Sequence, residues 1–222
     1  NLSAFDATQV AALTTTQVGA LTATQLTALT ATDIGELAAT QIAALTVAQI
    51  GGLTATTIGD LADTQVAALT TTQVQALSTA NVSALDATQV GALTTTQVAA
   101  LTAAQIGALS PTDVGEFATT QVAALTTTQA QVFTATQLSA LADTQVAALT
   151  AAQIGAISAT KLAGLNATQV GAFTTTQIGA LSAAQLRSFS NANLSALDAT
   201  QVGALNATQV RALTPTQIGA LN

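Results

Sequence analysis

Leu93-Thr94-Thr95-Thr96-Gln97-Val98-Ala99-Ala100-Leu101 holds, in nine residues, the pattern that decides the fold. Thr94 followed three residues later by Gln97 is a capping box: each side chain satisfies a backbone N–H that the start of a helix leaves without a partner. Leu93, just before the cap, and Val98, four residues after it, form a hydrophobic staple that fixes the entry of the chain into the helix. The stretch therefore spells a helix start. Eight residues later, at Thr102, the same start is spelled again.

Working outward from Thr94, the frame of eight (cap, x, x, Gln, aliphatic, x, Ala, Leu) runs without insertion from Asp6 to the end of the chain. The first position is Thr, Ser, Asp or Asn in 24 of 28 frames, so the capping role is general; the exceptions are Ala38, Ala62, Ala118 and Ala142. The fifth position is aliphatic except for the small Ala130. The eighth is Leu, Ile157, or one of the five phenylalanines, Phe5, Phe117, Phe133, Phe173 and Phe189. All the Phe share one slot, which is therefore the inner one. Pro111 and Pro215 directly follow a cap, at the first helical position that favours proline. Seven of the ten acids (Asp6, Asp33, Asp63, Asp86, Asp113, Asp143 and Asp198) sit at the cap or in the first turn, where the helix dipole favours negative charge.

A continuous helix is excluded by the period. Eight residues at about 100° each rotate the apolar stripe by roughly 80° per repeat, until it faces everywhere. The chain must bend at every cap. The reading is an all-α solenoid of very short helices, one per eight-residue repeat, over residues 1–222 as one continuous array. A β-solenoid is the alternative, because Thr, Val and Ile favour strands. The three-residue spacing of the apolar positions, the frequent Ala and the placement of Pro fit the helix better. Twelve of the fourteen glycines occupy the sixth position, where Gly either supplies unusual backbone angles or lets a neighbouring coil come close. A longer period is superposed: residues 1–80 align without gaps on 81–160, and 161–222 is a partial third block. An isolated octad cannot fold, since ordering it costs more than two buried aliphatics return; neighbours must stack.

Composition narrows function. Charged residues are 6% of the chain and the net charge is −7, with Lys161, Arg187 and Arg211 its only cations. So few cations argue against nucleic acid and against docking on an acidic membrane. With no Cys there are no disulfides or thiolate sites. Thr or Gln interrupts every apolar run well before the ~18 residues of a transmembrane segment. No initiator Met and no leader are seen, as expected of a mature chain or a fragment. Without His, Cys or Tyr, general acid–base chemistry has almost no material, and no glycine-rich phosphate loop occurs, so no enzyme, catalytic residue or cofactor is expected. The acidic pairs Asp33/Glu36, Asp60/Asp63 and Asp113/Glu116 offer oxygens to Ca²⁺ but match no calcium motif; their plain reading is helix-capping charge, and no metal site is expected. Lys161, standing where Gln recurs, reads as a drifted repeat position. Asn-x-Ser/Thr sequons occur at Asn1, Asn81, Asn166, Asn193 and Asn206. The recurring Gln has a second use open to it besides the capping box, a ladder of stacked amides between coils.

Thr-x-Thr triplets such as Thr14–Thr16, Thr22–Thr24 and Thr94–Thr96 resemble the hydroxyl arrays of ice-binding solenoids, which implies a ligand-binding face for ice or polysaccharide. The unit Ala-Leu-Thr-Thr-Thr-Gln-Val, clear at residues 92–98, resembles octad arrays in very large bacterial surface proteins of adhesin-like or hemagglutinin-like type. That resemblance implies an extracellular or cell-surface location and a filament, stalk or matrix role. Leu213–Ile218 is also similar to the helix start of TAL-effector repeats, but the base-reading loop of those repeats is missing and no DNA role follows. A surface of Thr, Gln, Ala and Gly gives little defence against self-association. The expected function is thus a structural extracellular repeat protein forming a filament, stalk or surface layer from its own copies, with a repeat-face ice or polysaccharide adhesin as the second reading.

Overall fold

The computed structural model describes residues 6–221 and is all-helical: twenty-seven helices of four to six residues, from Ala7–Ala11 to Pro215–Ile218, with no strand among the described residues. Each helix starts where its frame predicts. Thr94, in extended conformation (φ −68°, ψ 156°), caps the Thr95–Ala100 helix, and Leu101 closes it, again extended (φ −54°, ψ 139°). Two extended residues in succession, the closing Leu and the next cap, make the corner that turns the chain out of one helix and into the next. The β-solenoid alternative is excluded.

The chain divides into two compact units, 1–109 and 110–222. The block boundary at 80/81 falls inside the first. In unit 1 the Thr15–Gly19 helix packs on Ala39–Ala44, that helix on Asp63–Ala68, and that one on Ala87–Ala92. In unit 2 the succession Pro111–Gly115, Ala135–Ala140, Ala159–Leu162, Ala183–Ser188 and Ala207–Ala212 stacks in the same way. Within each unit a helix thus rests on the one three octads away, so a coil has three sides and 24 residues.

The fifth and eighth positions of every coil point inward. Val98, Ile106, Leu138 and Ile154 are sealed from solvent, as are Phe117, Phe133, Phe173 and Phe189 in the eighth slot. Phe5 lies outside the described residues. Ala130, the small fifth-position residue, shares its octad with Phe133, and both are fully buried: a small and a large side chain fill one layer together. Phe173 and Phe189 meet edge to face with centroids 6.1 Å apart, a favoured aromatic geometry. In the last coil, Val210 and Ile218 hold the same fifth slot but are 40% and 47% exposed, since no described coil covers them.

Glycine at the sixth position is used for close approach and not for unusual angles: no described glycine has positive φ. A Cβ on Gly59 would stand 3.0 Å from the Ala84 carbonyl oxygen of the next coil, and one on Gly171 3.1 Å from that of Ala196.

Candidate functional site

The most constrained polar feature of the molecule is the fourth-position glutamine, which is buried from Gln41 onward and exposed at Gln9, Gln17 and Gln25 of the first coil. Gln97 is only 3% exposed, and each end of its amide has a separate task. Its Oε1 accepts the N–H of its own cap, Thr94, at 2.7 Å, while its backbone N–H donates to Thr94 Oγ1 at 3.2 Å. That is the capping box. Its Nε2 crosses to the coil below and donates to the carbonyls of Val66 at 3.1 Å, Ala67 at 3.2 Å and Leu69 at 2.7 Å. Those carbonyls belong to the end of the Asp63–Ala68 helix and its closing Leu, groups that a helix C-terminus leaves without partners. One amide therefore satisfies the start of one helix and the end of another, 28 to 31 residues earlier.

The device recurs. Gln41 reaches Val10 and Leu13, Gln105 reaches Val74 and Leu77, Gln153 reaches Val122 and Leu125, and Gln209 reaches Ile178 and Leu181. Where the cap is Ala, half the box persists: Ala38 and Ala62 have no side-chain acceptor, yet their N–H groups still donate to Gln41 and Gln65 at 2.6 and 2.7 Å. Of the two uses open to glutamine in the sequence, the box is the one adopted. The bonds between coils run from amide to backbone carbonyl and not from amide to amide, because Oε1 is already committed to the cap.

Residues that replace this Gln keep whichever half their chemistry allows. Asn81 and Asn193 complete a box and send one bond down, to Leu53 and Leu165. Asp33 and Asp113 accept the cap N–H at 2.7 and 2.8 Å but have no proton to donate to the coil below. Thr57 is too short to reach it and pairs with Thr54. Lys161 does the opposite. Its Nζ donates down to the carbonyl of Gln131, but it cannot accept, and Ser158 makes no side-chain cap.

The remaining residues singled out in the sequence fall on the surface or at helix ends. Asp60 and Asp63 are exposed; Glu36 and Glu116 occupy C-caps, and the Glu36 Oε2 is buried without a hydrogen-bond partner. Among the described residues no three carboxylates gather as metal ligands. Asp86 accepts the Gln89 N–H and the Thr88 hydroxyl, which holds its carboxyl below the usual range. Two sequons are spent structurally: Asn81 and Asn193 are buried fourth-position residues, while Asn166 and Asn206 are exposed caps. Asn1 lies outside the described residues. Third-position Thr residues lie on all three sides of the coil, for instance Thr56, Thr64 and Thr72 in three consecutive octads. Open depressions, one beside Ala183, Arg187 and Ala212 and one beside Asp143, Thr168 and Gly171, are lined mainly by small residues. Among the described residues no helix is long and apolar enough to cross a membrane.

These features define the class as a helical repeat protein, an all-α solenoid whose building unit is a self-capped octad. The ALTTAQ repeat family matches the chain at residues 58–95, 66–103, 79–111, 146–183 and 191–222, windows that together cover more than half of it, and the chain belongs to that family. No curated protein matches the chain.

Proposed function

We propose that this protein is a non-catalytic structural element that works outside the cell or on its surface, where copies associate into a filament, stalk or surface layer. The observation that supports this most directly is the fourth-position glutamine. In most octads the buried fourth-position side chain joins coil to coil, so this polar chemistry is committed to the extension of the chain itself. What faces solvent is a repeated, weakly charged surface of Thr, Ala, Gly and Ser, the composition that lets like surfaces pack. The similarity to octad arrays of bacterial surface proteins supports the location.

Negative-stain electron microscopy of the purified chain across a concentration series, with sedimentation velocity on the same samples, tests the proposal. Elongated assemblies that grow with concentration are the expected outcome. Monodisperse monomers at the highest concentration overturn it.

A further inference from the structure

The charges of this chain are segregated by unit and by edge. Residues 1–109 contain six acids and no Lys or Arg, whereas 110–222 contain all three cations and four acids. With a coil of 24 residues, Glu36 and Asp60 occupy the same position in successive coils of unit 1. Asp63 opens the helix that follows Asp60, and Asp86 caps the one stacked on it. Four carboxylates therefore run along one edge of unit 1 over three coils; Asp60, Asp63 and Asp86 are exposed and Glu36 is half-buried. In unit 2, Arg187 and Arg211 hold the sixth position of two helices that pack on each other, Ala183–Ser188 and Ala207–Ala212, and both are exposed. The shallow depression beside Arg187 is floored by Ala183, Ala184 and Ala212, with no carboxylate in it.

From this complementarity we propose that the Arg187/Arg211 edge of one copy docks on the Glu36–Asp60–Asp63–Asp86 edge of a second copy. The inference rests on the self-association reading above and names its contact. Two arginines one coil apart face carboxylates one coil apart, so the spacing matches whatever the exact rise of a coil. The contact joins different surfaces of the two copies. A joined pair keeps one unused acidic edge and one unused basic edge, so further copies add in the same way, as a filament requires. Exposed ion pairs are individually weak and screened by salt, and repetition along the edges is what holds the copies together.

Sedimentation velocity on three forms of the full chain tests this: wild type, Arg187→Glu/Arg211→Glu and Asp60→Arg/Asp63→Arg. All the substituted side chains are exposed, and unchanged helical circular dichroism verifies folding. At low salt the wild type associates, and either double variant alone associates about tenfold more weakly, the scale of two exposed ion pairs. An equimolar mixture of the two variants recovers the association, because one carries two acidic edges and the other has its basic edge intact and its acidic edge reversed at two positions. Arg187→Gln/Arg211→Gln gives an intermediate loss. If the wild type associates but neither high salt nor the reversals weaken it, or the mixture fails to recover, this contact is wrong and the self-association reading survives. A wild type that stays monomeric throughout overturns both.

Discussion

Replacing Gln97 with Glu changes one NH₂ to an oxygen and isolates the bond between coils. The cap half survives, since a carboxylate oxygen accepts the Thr94 N–H as Oε1 does now at 2.7 Å. The other oxygen then sits where Nε2 donates to Leu69 at 2.7 Å and Val66 at 3.1 Å, so a donor becomes an acceptor facing carbonyl oxygens. Val66 O keeps the Leu69 N–H at 3.2 Å; Leu69 O has no other donor among the described residues. A buried carbonyl left without a partner costs about 1–3 kcal/mol, and an uncompensated buried charge raises the total to about 3–5 kcal/mol. The loss should depend on pH. In the folded state the new carboxyl is pushed above its unfolded value of about 4.3, because its protonated form can again donate to Leu69 O. The folded state then binds more protons than the unfolded one. The penalty is therefore complete above the raised pKa, shrinks as pH falls through it, and is smallest below the unfolded value. Urea denaturation of Gln97→Glu against wild type at several pH values measures this, with exposed Gln75→Glu in the neighbouring helix as a control expected within about 0.5 kcal/mol of wild type. If Gln97→Glu matches that control at neutral pH, the amide-to-carbonyl bonds do not hold the coils together.

Gly164→Ala places a Cβ 2.8 Å from the Cβ of Ala135 and should cost about 1–3 kcal/mol, whereas Gly91→Ala, with nothing within 4 Å, should stabilise by about 0.4–1 kcal/mol through its helix preference; thermal unfolding of the pair reads the contrast. Ala62→Thr supplies the missing half of a capping box at an exposed position and should add about 1 kcal/mol, measured by the same melts. The depressed Asp86 carboxyl contributes stability that is present above its unfolded pKa and is lost as pH falls through the folded one, so Asp86→Asn should remove that part of the acid limb; carboxyl NMR titration of Asp86 below the ordinary aspartate value checks the premise.

The octad boundaries, the caps and the inner slot were all legible, because each is a local signal. Thr94 and Gln97 declare a helix start regardless of what surrounds them, and the clustering of every Phe in one position declares the core. The number of octads per coil was not legible. Every octad offers the same donors and acceptors, so nothing in residue identity distinguishes a neighbour three octads away from one two or four away. That choice is made by the angle of the corner, set by two extended residues such as Leu101 and Thr102. The second task of glutamine was hidden for the same reason. A capping box explains why position four is Gln or Glu; only the coil below explains why it is never Glu in this chain. The absence of glutamate from a box that normally welcomes it was the available signal. The clustering of charge likewise emerges only once residues 24 apart are known to be neighbours.

That same column logic gives meaning to the drifted positions. Asp33, Thr57 and Asn81 are successive fourth positions on one side of unit 1, each 24 residues after the last, and all three depart from Gln. Asp33 and Thr57 give no bond to the coil below, and Asn81 gives one, at 3.0 Å to Leu53. In the flanking octads the joins are intact: Gln65 reaches Ile34 and Leu37, both at 2.7 Å, and Gln73 reaches Ile42 and Leu45. Loss of the amide therefore recurs along one side of the stack and leaves the adjoining sides joined. Two things keep the weakened side in place. The fifth-position Ile34 and Ile58 stay fully buried, so the hydrophobic layer is continuous where the polar join is missing. Each helix on that side also keeps its own cap, through Thr30, Thr54 and Ser78. A repeat array tolerates drift at a position with two tasks when the surviving half closes its own helix and neighbouring repeats carry the other. Lys161 is the converse case: it keeps the bond to the coil below and gives up the box, and its helix, at four residues, is among the shortest in the chain.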